Sequence, residues 1–398
     1  MSDYTSEIVI IGCGIIGGAL SYKLANLGYK NIIVIDKEDT INQHQTGRNS
    51  GVIHSGVYYP KGSLKSHNCI DGYNQIIGFL DEYKIPYKIP GKLIVAADEA
   101  EYGELERLYQ NAVDVGLQVN HMDREDILEI DPNLVSKKGF FVKETGLTDY
   151  KKVLEKFVDI GRNSGVKYLF SSPIKEIIQV GSSFEVKAGN KTISTKYIIN
   201  CTGLQSDRVY ELSTGLKSPV TIIPFKGEYF KVPKDSYNSD IAIYPVPNPD
   251  FPFLGVHLTR MIDGTLKVGP NAVLSFSREG YDGFEFNLKD TISNFSTPTL
   301  FNIAKKYKSV VLKELLKHKS KSFFEESVRK YWNNFDRDSI IGYTCGIRAQ
   351  ATENGKLVND FKIVCENNQV HVLNAPSPAA TSCLSIADTI INEFENLR

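Results

Sequence analysis

Short runs of β-branched apolar residues alternate with stretches of helical periodicity along most of this chain. Residues 8–11 form an unbroken apolar run ending at Gly12. A helical pattern follows over 15–27 and stops at Gly28, and a second apolar run, 32–35, ends at Asp36. Unbroken runs of this length suit strands covered on both faces. The N-terminal stretch therefore predicts strand, tight turn, helix and strand. Beyond it the pattern predicts a Gly- and Ser-rich loop after Asp36 and a helix over 64–83, with Pro86 and Pro90 marking a change. A strand over 92–97, a charged amphipathic helix over 99–115, a short strand over 117–121 and a helix over 123–130 follow, the last stopped by Pro132.

The helical stretch 150–161 buries Val153, Leu154, Phe157, Val158 and Ile160 on one side. Next come a strand at 166–170, an antiparallel meander over 174–193 turning at Gly181 and Gly189–Asn190, and a buried-type strand, 196–201. Strands at 222–231, 241–244, 253–258 and 265–268 are separated by Pro, Gly and Asp turns. A helical region from 289 to about 330, strands at 341–350, 361–364 and 370–373, and a last helix over 379–394 complete the chain. Overall this is an α/β (α+β) protein. A Rossmann-like nucleotide-binding domain, discontinuous over 1–85, 145–218 and 336–398, carries an inserted antiparallel-sheet domain, 86–144 and 219–335, that caps a cleft for substrate.

The turn after the first strand carries the chemistry of a dinucleotide site. Gly12, Gly14 and Gly17 have the spacing G-x-G-x-x-G. The first glycine permits the tight turn, the second close approach of backbone to a pyrophosphate, and the third close packing of helix on strand. Ile15 and Ile16 open a helix whose free N–H groups and positive dipole end face the phosphates. Asp36 ends the second strand, where a carboxylate accepts hydrogen bonds from ribose hydroxyls, with Lys37 beside it. A signal peptide is not expected, since the leader MSDYTSE is acidic and glycines interrupt the apolar run.

Composition narrows the field. At 398 residues the chain has room for two domains, and a net charge of −1 gives no reason to expect nucleic-acid binding. No apolar run approaches the roughly 18–20 residues that span a bilayer. The six cysteines form no C-x-x-C pair and the seven histidines show no ligand spacing. Reduced thiols, a cytoplasmic setting and no metal are the expectation. There is a single glycine fingerprint, and Asp36 rather than an arginine disfavours a 2′-phosphate. NAD and FAD remain. The chain returns twice to the nucleotide domain, which suits the longer FAD, whose ring must be held far from the first helix.

Several stretches then narrow the choice: HQTGRNSGVIHSGVYYPKGSLK at 44–65, FKGEYF at 225–230, FPFLGVHLTRMIDGTLKVGPNAV at 251–273, GIRAQ at 346–350 and NAPSPAATS at 374–382. Together they resemble the FAD-dependent oxidoreductases of the D-amino-acid oxidase type, and within them the L-2-hydroxyglutarate oxidases and dehydrogenases. The resemblance spans nearly the whole chain. It implies bound FAD, hydride transfer from Cα of a 2-hydroxy diacid to the flavin, a 2-oxo acid as product, and a quinone or dioxygen as acceptor. Arg48 stands where that family's loop has His. The neighbours Gln45, Thr46, Asn49, Ser50, Gly51 and Val52 agree with the family and, with Arg48, are expected beside the cofactor, as are Thr202 and Gly203 at the end of their strand. A related flavoenzyme acting on an amino acid or glycerol 3-phosphate is the nearest alternative. A non-catalytic FAD-binding partner protein is the alternative of a different class.

Such a reaction needs a base, cations for two carboxylates and a device that stabilises charge on the reduced flavin. His54, in NSGVIHSG, is the candidate base, with His257 of HLTR as its rival and a second substrate contact. Lys226, Arg260 and Arg348 are the candidate cations, Arg348 lying also beside the flavin, and Tyr229 and Tyr58 are candidate hydroxyl donors. Pro378, Ala379, Ala380 and Thr381 are expected to open a helix whose N–H groups face the flavin. Residues 300–330 carry nine Lys/Arg against three Glu. They are read as a solvated helix, with docking of that helix on an anionic membrane as the sharper alternative.

Overall fold

A computed structural model describes residues 2–247, 255–281, 285–295 and 320–398. The first apolar run becomes the central strand Tyr4–Ile11 of an eight-stranded sheet. It lies parallel to Ile32–Ile35 on one side and to Lys191–Asn200 on the other. Lys167–Leu169 and Gln369–Asn374 extend the parallel layer at its two ends. The expected meander is present as the hairpin Ile174–Val180 and Ser183–Ala188, which runs on into Lys191–Asn200.

The unbroken apolar runs have a direct cause: this sheet is covered on both faces. Ile8, Ile10, Val34 and Ile199 point into a core shared with the helices Ile15–Asn26, Leu64–Glu82, Tyr150–Asn163 and Cys383–Asn396. Their neighbours Val9, Ile11, Ile33, Ile35 and Ile198 point the other way, into a core with Phe184, Val186 and Val209.

A ten-stranded sheet forms the second layer, and most of its pairs are antiparallel. Thr221–Val232 is flanked by Leu266–Gly269 and by Gly342–Glu353, and the sheet continues through His257–Arg260, Ala242–Pro245, Lys92–Val95, Gly139–Val142 and Val119–Met122. One face packs Leu93, Val95, Phe230, Leu258 and Val268 against Phe324, Val328, Tyr331 and Trp332 at and beyond the helix Lys321–Arg329.

The strand expected at 341–350 runs over Gly342–Glu353 and pairs with Thr221–Val232 along nearly its whole length. The last helix begins at Cys383, four residues later than expected, because 377–382 turn first. Pro376 and Pro378 lack amide hydrogens, and Ala379 and Ser382 bond back to their carbonyls. The long helical region resolves into Leu288–Phe295 and Lys321–Arg329; residues 296–319, with most of the basic stretch, lie outside the described residues. A small three-stranded sheet of Val52–Ile53, Tyr87–Lys88 and Gly146–Thr148 was not anticipated, its strands being too short to show periodicity. Among the described residues no helix is long and apolar enough to cross a membrane.

Candidate active site

One cavity of about 1440 Å³ runs from the carboxyl ends of Tyr4–Ile11 and Lys191–Asn200 to the inner face of the second sheet. That exceeds the ~300–1,000 Å³ of ordinary small-molecule clefts and suits a dinucleotide together with a small acid.

Its first end is built by the glycine turn. Gly12 has φ +101°, and a Cβ there would lie 2.6 Å from the Cys201 carbonyl. A Cβ on Gly17 would collide with the Gly12 carbonyl, so Gly17 packs against the turn and does not itself line the cavity. Gly14, Ile15 and Ile16 do line it. The N–H of Ile15 donates to Thr46 Oγ1 at 3.0 Å. Those of Ile16 and Gly17 have no acceptor among the described residues. Asp36 accepts from the N–H groups of Cys13 (2.7 Å) and Glu38 (3.0 Å), which locks its carboxylate at the cavity wall.

Lys37 bridges Glu38 and Glu279, both at 2.6 Å. Ligand atoms of Glu38, His44 and Glu279 lie within 4.8 Å of one another, a cluster that spacing did not announce. The Lys37 ammonium already supplies the positive charge these carboxylates face. Thr202 is held by Asn200 Oδ1, and Thr202 and Gly203 line the cavity beside Gln45.

The loop after Asp36 walks the chain toward the second end. Asn49 caps its own turn, donating to the Thr46 carbonyl at 2.8 Å and accepting from the Gly51 N–H at 2.8 Å. Arg48 keeps the loop's course: Nε donates to the Gln43 carbonyl at 3.0 Å, and the guanidinium lies 3.9 Å from the centre of the Tyr281 ring. Ser50, Gly51 and Val52 line the same wall. Opposite, Pro378, Ala379 and Ala380 reach the cavity from the turn that precedes the helix rather than from the helix itself. The N–H groups of Ala380 and Thr381 have no acceptor among the described residues.

Thr381 departs from expectation. Fully buried and off the cavity, it accepts from the His54 N–H at 3.0 Å and bonds Tyr150 at 3.0 Å. It ties this turn to the strand that presents His54.

The second end collects His54, Tyr58, Tyr229, Tyr244, His257 and Arg348. His54 is reached from the cavity yet lies deep in the chain. Burial first, then the charges of Lys92 and Arg348, pull its imidazole down to about 3, so it is neutral. His257 is held well below the usual histidine range by burial, then by Arg348, His54 and Lys92. Its Nδ1 bonds Thr259 Oγ1 at 2.9 Å, and its ring stacks on Tyr244 with centroids 4.0 Å apart. Arg348 and Ser50 act on the Tyr229 hydroxyl.

Two of the expected cations are elsewhere, for one reason. Side chains alternate across a strand. Phe225, Gly227 and Tyr229 face the cavity, which sends Lys226 to the other face along with Glu228. Glu228 is bonded there by Asn271 and Tyr343, both at 2.7 Å. His257 faces the cavity, and three residues on Arg260 faces away. Its guanidinium donates to the carbonyls of Ser239, Lys234, Gly264 and Tyr237 and pairs with Asp240. Arg260 is a clasp for the 234–240 loop, not a carboxylate ligand.

Lys92 and Tyr244 were missed. Lys92 opens a strand where a lysine ordinarily reads as solvent-facing, yet it is 1% exposed, its Nζ 4.6 Å from the Tyr58 ring centre and 5.0 Å from that of Tyr244.

A glycine-lined dinucleotide cradle that opens onto a chamber of histidines, tyrosines and cations defines a flavin-dependent oxidoreductase of the two-layer kind. Residues 7–392 match the model of the family described as FAD dependent oxidoreductase, and the chain belongs to that family. It is 38% identical to L-2-hydroxyglutarate dehydrogenase of Indibacter alkaliphilus over 389 residues, which cover 96% of this chain and 97% of that one. It is 35% identical to the L-2-hydroxyglutarate dehydrogenase of Escherichia coli K12, covering 98% of this chain and 93% of the relative. Among solved structures, FAD-bound L-α-glycerophosphate oxidase of Mycoplasma pneumoniae shares the fold with a TM-score of 0.78 at 21% identity, covering 98% and 95% of the two chains. Glycine oxidase of Geobacillus kaustophilus does so at 0.74 and 14%, covering 99% and 96%. The cofactor is FAD, and the residues present fit it: the Gly12–Gly17 turn and the unclaimed N–H group of Ile16 for the pyrophosphate, Asp36 for the ribose, and the unclaimed N–H group of Ala380 for the flavin.

Proposed function

We propose that this protein oxidises L-2-hydroxyglutarate to 2-oxoglutarate. The observation that carries the reading is the chamber in which a neutral His54, Arg348, Tyr229 and His257 meet at one end of the dinucleotide cavity. The full-length similarity to L-2-hydroxyglutarate dehydrogenases supports the same substrate.

Bound FAD supplies the acceptor for the hydride that leaves the substrate's Cα. His54 takes the proton of the C2 hydroxyl: it is unprotonated before substrate binds, and the negative charge that a bound diacid brings beside it raises its basicity. Arg348 and the Tyr229 hydroxyl hold the carboxylate next to the reacting carbon through charge-assisted hydrogen bonds. Thr381 keeps His54 in place through its backbone N–H, and His257, braced by Thr259 and the Tyr244 ring, forms the adjoining wall. The division of labour follows the two sheets, with cofactor on the parallel layer and substrate against the antiparallel one.

Electrons then pass to dioxygen or a quinone. With a membrane quinone as acceptor, the basic stretch 300–330 docks on an anionic bilayer, and flotation with anionic vesicles at low salt tests this. Anaerobic mixing with L-2-hydroxyglutarate tests the reaction: stoichiometric bleaching of the flavin is the expected result. Bleaching only by an α-amino acid or glycerol 3-phosphate, or by none of these compounds, overturns the reading.

A further inference from the structure

Behind the reaction end of the cavity stands an ammonium, that of Lys92, with no ion pair among the described residues. This ammonium, at the start of the strand Lys92–Val95, has no hydrogen bond among the described residues either. The influences that shift it are burial and then the Cys69 thiol, with no carboxylate among them. Nor does a carboxylate figure among the charges acting on His54 or His257, which feel Lys92 and Arg348. A buried, unpaired ammonium is costly. Among the described residues it lies against the π faces of Tyr58 and Tyr244, at 4.6 and 5.0 Å. Both rings line the cavity while Lys92 itself stands just behind them. The buried Tyr58 hydroxyl has no hydrogen-bond partner among the described residues.

A positive chamber with an unsatisfied hydroxyl is complementary to a ligand that brings more than one negative charge. We propose that Lys92 is the specificity-determining residue for the second carboxylate: held behind the Tyr58 and Tyr244 rings, it makes the chamber select a dianionic 2-hydroxy acid over a monoanionic one of the same length. It acts through the field it casts across that wall and through the tyrosines it orients, while Arg348 and Tyr229 serve the carboxylate next to the reacting carbon. This deepens the reading of the site as one for L-2-hydroxyglutarate and rests on it.

The test separates the two. FAD-loaded wild type, Lys92→Met and Lys92→Arg are compared by kcat/KM on L-2-hydroxyglutarate and on its 5-methyl ester, which keeps the length and removes the distal charge. In parallel, glutarate and monomethyl glutarate, which lack the reacting hydroxyl, are titrated against the flavin spectrum. Lys92→Met is expected to lose on the order of 10–100-fold on the diacid, mostly through KM, in line with about 1.5–3 kcal/mol for an interaction with a charged group. The ester is expected to be unaffected. Lys92→Arg, which keeps the charge, is expected to retain the preference. Equal losses on diacid and ester, or an unchanged preference for glutarate in Lys92→Met, overturn the proposal, as does a wild type that binds glutarate no better than its monoester. Selective glutarate binding without turnover of L-2-hydroxyglutarate would instead refute the substrate assignment and leave the role of Lys92 standing.

Discussion

Lys92→Met removes one charge while keeping an unbranched side chain of similar length between the Tyr58 and Tyr244 rings. Burial lowers the Lys92 ammonium from 10.5 to about 7. The folded-state value lies below the unfolded one, so between these limits the unfolded chain binds more protons than the folded one. The stability contribution of this residue is therefore lost as pH falls from about 10.5 to 7, and the penalty is fully developed below 7. At about 1.4 kcal/mol per pH unit, the interval amounts to an upper limit of roughly 4–5 kcal/mol. Relaxation around the charge and the attraction of two aromatic faces reduce it, and buried charges replaced by apolar groups of similar volume recover about 1–4 kcal/mol. Lys92→Met is thus expected to be more stable than wild type by that amount at pH 7 while being poorer on the diacid, and its advantage should shrink toward nothing near pH 10.5. The protein's single tryptophan, Trp332, is buried in the core that packs on this sheet, so its fluorescence during urea unfolding of the FAD-loaded protein at several pH values reads the effect. A variant less stable than wild type at pH 7, or a gain that does not change with pH, would show that the ammonium is paired or hydrated in the folded state. The uncompensated charge behind the cavity wall would go with it. Of the groups that face Lys92, namely Cys69, Tyr58, Tyr244, His54, His257 and Arg348, neither histidine is protonated in this range, so their titration does not mimic the effect.

Other substitutions probe the rest of the site. His54→Ala should keep FAD and lose about 10²–10⁴ in the rate of flavin reduction under substrate; near-normal reduction in stopped flow would remove His54 as the base. Gly17→Ala places a methyl against the Gly12 carbonyl, and the turn must open; the purified variant should carry little FAD by its visible absorbance, and full loading would contradict the packing role. Arg260→Leu should destabilise the inserted sheet by about 1–3 kcal/mol, since it frees several carbonyls at once, that of the buried Tyr237 among them. Its folded fraction should bind substrate normally, and a raised KM without loss of stability would return Arg260 to the substrate.

The glycine fingerprint and its helix were legible because each element is specified by residues near one another in the chain. Gly12 needs its positive φ where the strand ends, and the apolar runs at 8–11 and 32–35 need cover on both faces whatever the rest of the chain does. The same holds for the amphipathic helix Tyr150–Asn163 and for the loop that brings His54 to the cavity. Strand periodicity, by contrast, gives the alternation of side chains but not its phase relative to a site formed by other strands. Thr221–Val232 is buried along almost all its length, so nothing local says that Tyr229 faces the cavity and Lys226 does not. His257 and Arg260 part company for the same reason. Pairing partners are also non-local: Gly342–Glu353 has the pattern of any half-buried strand, and only its neighbour Thr221–Val232 assigns it to the second sheet. Lys92 is the extreme case. Its burial comes from rings at positions 58 and 244 and from the strand Ala242–Pro245 beside it, segments far apart in the chain that meet only when the two sheets close on the cavity.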